Sequence, residues 1–89
     1  MQECVIEFLG TFFLTLVILW TGDWLSIGAA LAIIIILGGG LSAAAYNPAV
    51  VLALVSAKKL PSNVVFPYIL AEIAGALAAV EFVKFLKRK

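Results

Sequence analysis

Two glutamates stand inside apolar runs, and an Asn-Pro pair opens a third such run; these are the residues with which this chain could do chemistry. Glu7 lies in Val5-Ile6-Glu7-Phe8-Leu9 and Glu72 in Leu70-Ala71-Glu72-Ile73-Ala74. An ionised carboxylate at membrane depth costs about 2.5–3.5 kcal/mol on insertion scales, so Glu7 needs donors. It can serve as a scaffold for another segment or as a site that takes up and releases a proton. Asn47 can cap a helix with its side-chain oxygen and still offer its amide to a ligand. The chain has no histidine, which removes imidazole base catalysis and the usual zinc chemistry. Its single cysteine, Cys4, excludes an internal disulfide framework and reads as a packing residue near a membrane surface. There is no nucleophile–base pair, no phosphate-cradling glycine loop and no metal-ligand spacing. No enzyme, cofactor or metal is expected.

The elements that must hold these residues read as membrane helices. Hydrophobic residues make up 65% of the chain and charged ones 12%, where soluble domains carry about 25% charged residues. Mean hydropathy is +1.22. A net charge of +1 gives no footprint for nucleic acid. The start, Met1-Gln2-Glu3-Cys4, lacks a basic segment and a small-residue cleavage site, so it does not read as a cleaved signal peptide. Stretches 4–21, 25–41 and 64–85 approach or reach the roughly 20 residues needed to cross a bilayer core of about 30 Å. Segment 42–58 is different. Its apolar part begins at Pro48 behind an Asn47 cap and stops before Lys58-Lys59-Leu60-Pro61. That is long enough for only about half a bilayer core. An interfacial helix would show a polar stripe, which this one lacks, so it reads as re-entrant. Re-entrant backbone exposes amides and carbonyls that lipid cannot satisfy. The chain must therefore bury them in protein or line a water-filled path. Gly10, Gly28 and Gly75 read as points where helices cross closely.

With these elements in place, Asn47-Pro48-Ala49-Val50 resembles the first-repeat signature of the aquaporin and glycerol-facilitator family. Glu7-Phe8-Leu9-Gly10-Thr11 and Tyr68-Ile69-Leu70-Ala71-Glu72-Ile73-Ala74-Gly75 are similar to two further blocks of that family. The order and spacing match over nearly the whole chain. The resemblance implies an all-α half-repeat, with three transmembrane helices and one re-entrant half-helix. It implies that Asn47, Pro48 and Ala49 reach the midplane of a pore. It makes the carbonyls of Ala43, Ala44 and Ala45 an acceptor ladder, and Glu7 a brace on the loop amides. Glu72 stands where the family usually has glutamine; it either carries a proton or also braces the loop. The family's arginine after the second motif has no counterpart here, the residue after Ala49 being Val50. Two copies assembled head to tail would gather Ile27, Ile35, Ala44 and Val50 at each mouth. That ring is apolar, so glycerol or a dissolved gas is as good a solute as water.

The family is built from two such repeats in inverted orientation. One repeat cannot enclose a pore, so a partner is implied. Lys58 and Lys59 flank one side, and Lys84, Lys87, Arg88 and Lys89 the other. A bias that small permits insertion both ways, and two antiparallel copies would restore the inverted repeat. The family's grouping of four pores implies eight chains in the cell membrane. Two alternatives stand beside this passive channel. One is a non-conducting fragment, or a subunit pairing with a different half-channel. The other is a small dual-topology transporter that couples to protons through Glu7.

Overall fold

The computed structural model describes residues 1–87, so the end of the basic tail, Arg88 and Lys89, lies outside the described residues. These fold into four α-helices with no strand among them: α1 (Gln2–Thr21), α2 (Trp24–Gly38), α3 (Pro48–Ser56) and α4 (Val65–Leu86). A 3-10 turn, Ser62–Val64, leads into α4.

Each helix ends where its sequence makes continuation costly. Gly22 closes α1 in the left-handed conformation, φ 59°, with its N–H on the Ile18 carbonyl. Glycine takes that conformation without a Cβ penalty. Asp23 then caps α2, accepting from the Ser26 amide at 2.9 Å and from the Ser26 hydroxyl at 2.7 Å. These bonds from Ser26 hold the exposed Asp23 carboxyl below the usual carboxylate range. α2 ends at Gly38 rather than at Leu41, shorter than the sequence predicts. The Gly38-Gly39-Gly40 run favours a turn over a helix by its backbone entropy. The Leu41 and Ser42 amides both fold back onto the Gly38 carbonyl, at 2.8 and 2.9 Å. α3 starts at Pro48 and ends at Ser56, giving nine residues, or about 14 Å of length. Lys58 in the left-handed region (φ 62°) and a Lys59 amide on the Leu54 carbonyl at 2.8 Å turn the chain away.

α1 and α4 form the main contact, with α2 against α1 and α3 against α4. The buried positions of α4 are Tyr68, Glu72, Gly75, Ala79 and Val83, one stripe at helical spacing. Gly75 allows the approach: a Cβ there would overlap the Phe8 carbonyl oxygen and come within 3.2 Å of the Phe12 amide. Further along, Phe12 and Phe82 rings lie 5.8 Å apart, and the Lys87 ammonium sits 5.3 Å from the Trp20 ring. These successive contacts run in chain order on both helices, so α1 and α4 are parallel. The molecule measures 46 × 24 × 20 Å. α1 is the helix, among the described residues, long and apolar enough to cross a membrane. α2 is a shorter apolar helix of 15 residues, and α4 carries Glu72, Glu81 and Lys84.

Candidate functional site

The segment between α2 and α3 has no ladder of backbone hydrogen bonds, so its shape depends on side chains from elsewhere. Glu7 supplies two contacts: its Oε2 accepts from the Ser42 hydroxyl at 2.7 Å and its Oε1 from the Tyr46 amide at 2.8 Å. The Ser42 hydroxyl oxygen in turn accepts from the Ala44 amide at 2.9 Å. From α4, the Tyr68 hydroxyl accepts from the Ala43 amide at 3.2 Å. The loop is thus tied to two helices, by Glu7 of α1 and Tyr68 of α4. The tie is needed because Ala44 and Tyr46 both take left-handed conformations, each with φ 52°. That conformation costs roughly 1–2 kcal/mol per residue that is not glycine. Hydrogen bonds to a charged acceptor contribute about 1.5–3 kcal/mol each. The two bonds to Glu7 are of the right size to offset the two strained residues.

Tyr46 anchors the loop from its other side. Its ring is buried against Gly10, where a Cβ would lie within 2.8 Å of ring carbons, and its hydroxyl lies against Gly38. That hydroxyl donates to the Ile34 carbonyl at 2.7 Å. Gly10 is therefore a seat for an aromatic ring rather than a crossing of two helices. Gly28 makes no crossing within this chain, where a Cβ would meet nothing within 4 Å. α2 turns Ala30, Ile34 and Gly38 inward, and at about 3.6 residues per turn Gly28 falls on the opposite face. Gly75 sits at the α1–α4 contact already described.

The loop delivers Asn47 to the start of α3. Its Oδ1 accepts from the Ala49 amide at 2.8 Å, and its backbone carbonyl takes the Val51 amide at 3.0 Å. The residue is exposed, and among the described residues its Nδ2 donates to nothing. Because the cap uses the oxygen, the nitrogen remains free to donate outward. The carbonyls of Ala43, Ala44 and Ala45 likewise accept from no donor among the described residues.

The remaining residues singled out from the sequence are scattered over the surface. Val50 is 41% exposed and Ile35 45%, while Ile27 and Ala44 are half-buried. An apolar groove of about 360 Å³ between α1 and α2 is lined by Leu9, Phe13, Ile33, Leu37 and Tyr46 among others, and includes none of those four. Glu72 is buried against the same site, beside Glu7 and the Asn47 amide, with neither oxygen within hydrogen-bond range of a donor. Reading the sequence alone missed Ser42, Tyr46, Tyr68 and Gly38. A hydroxyl-bearing aromatic within a run of alanines, flanked in space by glycines far away in sequence, was the signal available for Tyr46.

Residues 20–89 match the family described as major intrinsic protein. The chain is 34% identical to the aquaporin AqpM of Methanothermobacter thermautotrophicus, over 88% of this chain and 44% of that protein. It is 36% identical to the glycerol uptake facilitator protein-like 6 of Lactiplantibacillus plantarum, over 94% of this chain and 43% of that one. A probable aquaporin AqpM of Archaeoglobus fulgidus is 44% identical over 62% of this chain. No solved structure matches. The chain spans less than half the length of the relatives it matches. Proteins of this family are membrane channels, not enzymes. On the match over residues 20–89 and these identities, the chain belongs to the major intrinsic protein family.

Proposed function

We propose that this chain is a subunit of a passive membrane channel for water or small neutral solutes, such as glycerol or dissolved gases. In this reading α1, α2 and α4 cross the cell membrane, and the loop with α3 enters from one side and ends near the midplane. The observation that carries it is the run of unpaired carbonyls from Ala43 to Ala45 leading to the free Asn47 amide. Hydrocarbon does not satisfy such groups, whereas a file of water or solute hydroxyls does. The positive end of α3 would stand at the same place and repel cations. The pore would be completed by a second, antiparallel copy, with Ile27, Ile35, Ala44 and Val50 at its mouths. Eight chains would make four pores. Glu7 is a poor proton-coupling site here, because both of its oxygens are committed to the loop.

Purified chain reconstituted into liposomes tests this by osmotic swelling. Glycerol or water should enter faster than into empty liposomes, and Asn47→Leu should slow that entry. Swelling no faster than that of empty liposomes, with every solute tried, would sink the channel reading. Restoration of swelling only by co-reconstitution with a different half-channel would support a mixed pore instead.

A further inference from the structure

Two buried carboxyls sit side by side behind the loop, and their surroundings differ. Glu7 is 0% exposed and Glu72 1%. Glu72 neighbours both the Glu7 carboxyl and the Asn47 backbone. Each Glu7 oxygen already accepts a short hydrogen bond, from the Tyr46 amide and the Ser42 hydroxyl. Neither Glu72 oxygen has a hydrogen-bond partner among the described residues. With its carboxyl enclosed by the chain's own helices, the groups to weigh as its partner are those packed around it.

The elements packed around Glu72 offer no cation. α1 carries Glu7, with Glu3 and Cys4 nearer its start, and no lysine or arginine. α3 and the 3-10 turn carry no titratable side chain. The loop supplies Tyr46, whose hydroxyl is committed to Ile34, and α4 itself supplies Tyr68, which accepts from Ala43. An ionised Glu72 would be a buried anion with no cation near it and no donor within hydrogen-bond range, the Asn47 amide being its neighbour, and it would stand beside a second carboxyl. Neither condition is tolerated in a low-dielectric interior. A neutral carboxyl removes both faults, because it gains an O–H that Glu7 can accept. Each Glu7 oxygen keeps a lone-pair site after accepting one bond.

We infer that Glu72 is neutral and donates its proton to the Glu7 carboxylate, so that one proton shared by two carboxyls holds the loop. Glu72 is then a positioning residue. It fixes the Glu7 carboxylate in the orientation that Ser42 and Tyr46 require, and through them the path to Asn47. The inference concerns the α1–α4 contact and does not depend on what passes through the channel.

Infrared spectroscopy of the folded chain in detergent at neutral pH reads the proton directly, as the C=O stretch of an un-ionised carboxyl. The other acidic side chains, Glu3, Asp23 and Glu81, are exposed to solvent, so the carboxyls shielded from it are Glu7 and Glu72. The wild type should show the band, and labelling with ¹³C-glutamate should shift it. It should disappear in Glu72→Gln, whose amide reproduces the donor and the shape, and persist in Glu7→Gln. Glu72→Gln should also melt close to the wild type, with Glu72→Ala clearly below it. Absence of the band from the wild type overturns the inference, as does a band that survives in Glu72→Gln or vanishes in Glu7→Gln. The wild-type and Glu7→Gln spectra decide the matter if Glu72→Gln does not fold. None of these readings involves solute passage, so they stand or fall apart from the liposome result.

Discussion

Glu7 contributes an acceptor and a charge to the loop, and substitution can separate the two. Glu7→Gln keeps one acceptor for the Tyr46 amide, and its NH₂ can donate to the Ser42 oxygen. It should unfold close to the wild type in a detergent melt. Glu7→Ala leaves the Tyr46 amide and the Ser42 hydroxyl without their partner. The cost is about 1–3 kcal/mol for each buried group left unsatisfied, and the melt should fall visibly. Equal loss of transport in both variants, with the fold intact, would point to proton coupling at Glu7 instead of bracing. Tyr46 gives a second test. Tyr46→Phe removes the bond to the Ile34 carbonyl and should cost about 1 kcal/mol. Gly10→Ala drives a methyl into the Tyr46 ring and should cost more, about 1–3 kcal/mol as overpacking does. If Gly10→Ala melts like the wild type, the ring does not occupy that seat. These residues differ in how legible they were. Glu7 draws attention because a carboxylate is expensive in an apolar run. Tyr46 does not, because its partners Gly10 and Ile34 lie 36 and 12 positions away in the chain. Only the folded loop brings them together.

At the scale of elements, the helices follow rules visible in the sequence, and the loop between them does not. Pro48 at the first position, Asn47 as cap and the short apolar run specify α3 locally. Gly22 and Asp23 specify the α1–α2 turn in the same way. The end of α2 was misjudged because Leu41 extends the apolar pattern across three glycines, and backbone entropy outweighed hydropathy there. The left-handed conformations of Ala44 and Tyr46 had no local signal at all, since neither is glycine or asparagine. The cap supports a prediction in which the two functions of Asn47 part company. Asn47→Asp keeps the acceptor for the Ala49 amide and loses the outward NH₂. It should hold α3 in circular dichroism while reducing neutral-solute entry in liposomes. Asn47→Ala should lose both, with a cap cost of about 1 kcal/mol. Entry that is unchanged in Asn47→Asp would remove the side-chain amide from the conduction path. One turn into α3, Val50 is exposed and stands where the resembling family's second motif carries arginine. Val50→Arg should slow the larger neutral solutes more than water in the same assay. No change with any solute would mean that Val50 does not line the constriction.

At the scale of the whole molecule, the proposed partner answers to the surface that the lone chain leaves exposed. Val50, Leu52, Ile35, Ile36 and Leu37 are exposed on the lone chain, and the carbonyls of Ala43 to Ala45 and the exposed Asn47 amide have no partner among the described residues. Apolar side chains of that kind can face lipid. Unpaired backbone carbonyls cannot, so they need either a water-filled path or protein across from them. A second copy in the opposite orientation would set one α3 start against another near the midplane and enclose the path between them. The charges on the chain allow it, because lysines flank both ends: Lys58 and Lys59 on one side, Lys84 and Lys87 on the other. The positive-inside bias is then weak, and insertion in both directions is expected. The labelling experiment follows directly. With the half-buried Cys4 replaced by serine, a cysteine is introduced by Lys87→Cys beside the exposed end of α4. An impermeant thiol reagent applied to intact cells, and then to opened membranes, should find about equal fractions of the site on each side. An antiparallel pair would also make both mouths identical, and solute entry would then not depend on the direction of the gradient. Labelling from one side only would remove the dual-topology pair. The uncovered surface of α3 and its loop would then belong against a different half-channel, inserted the other way up.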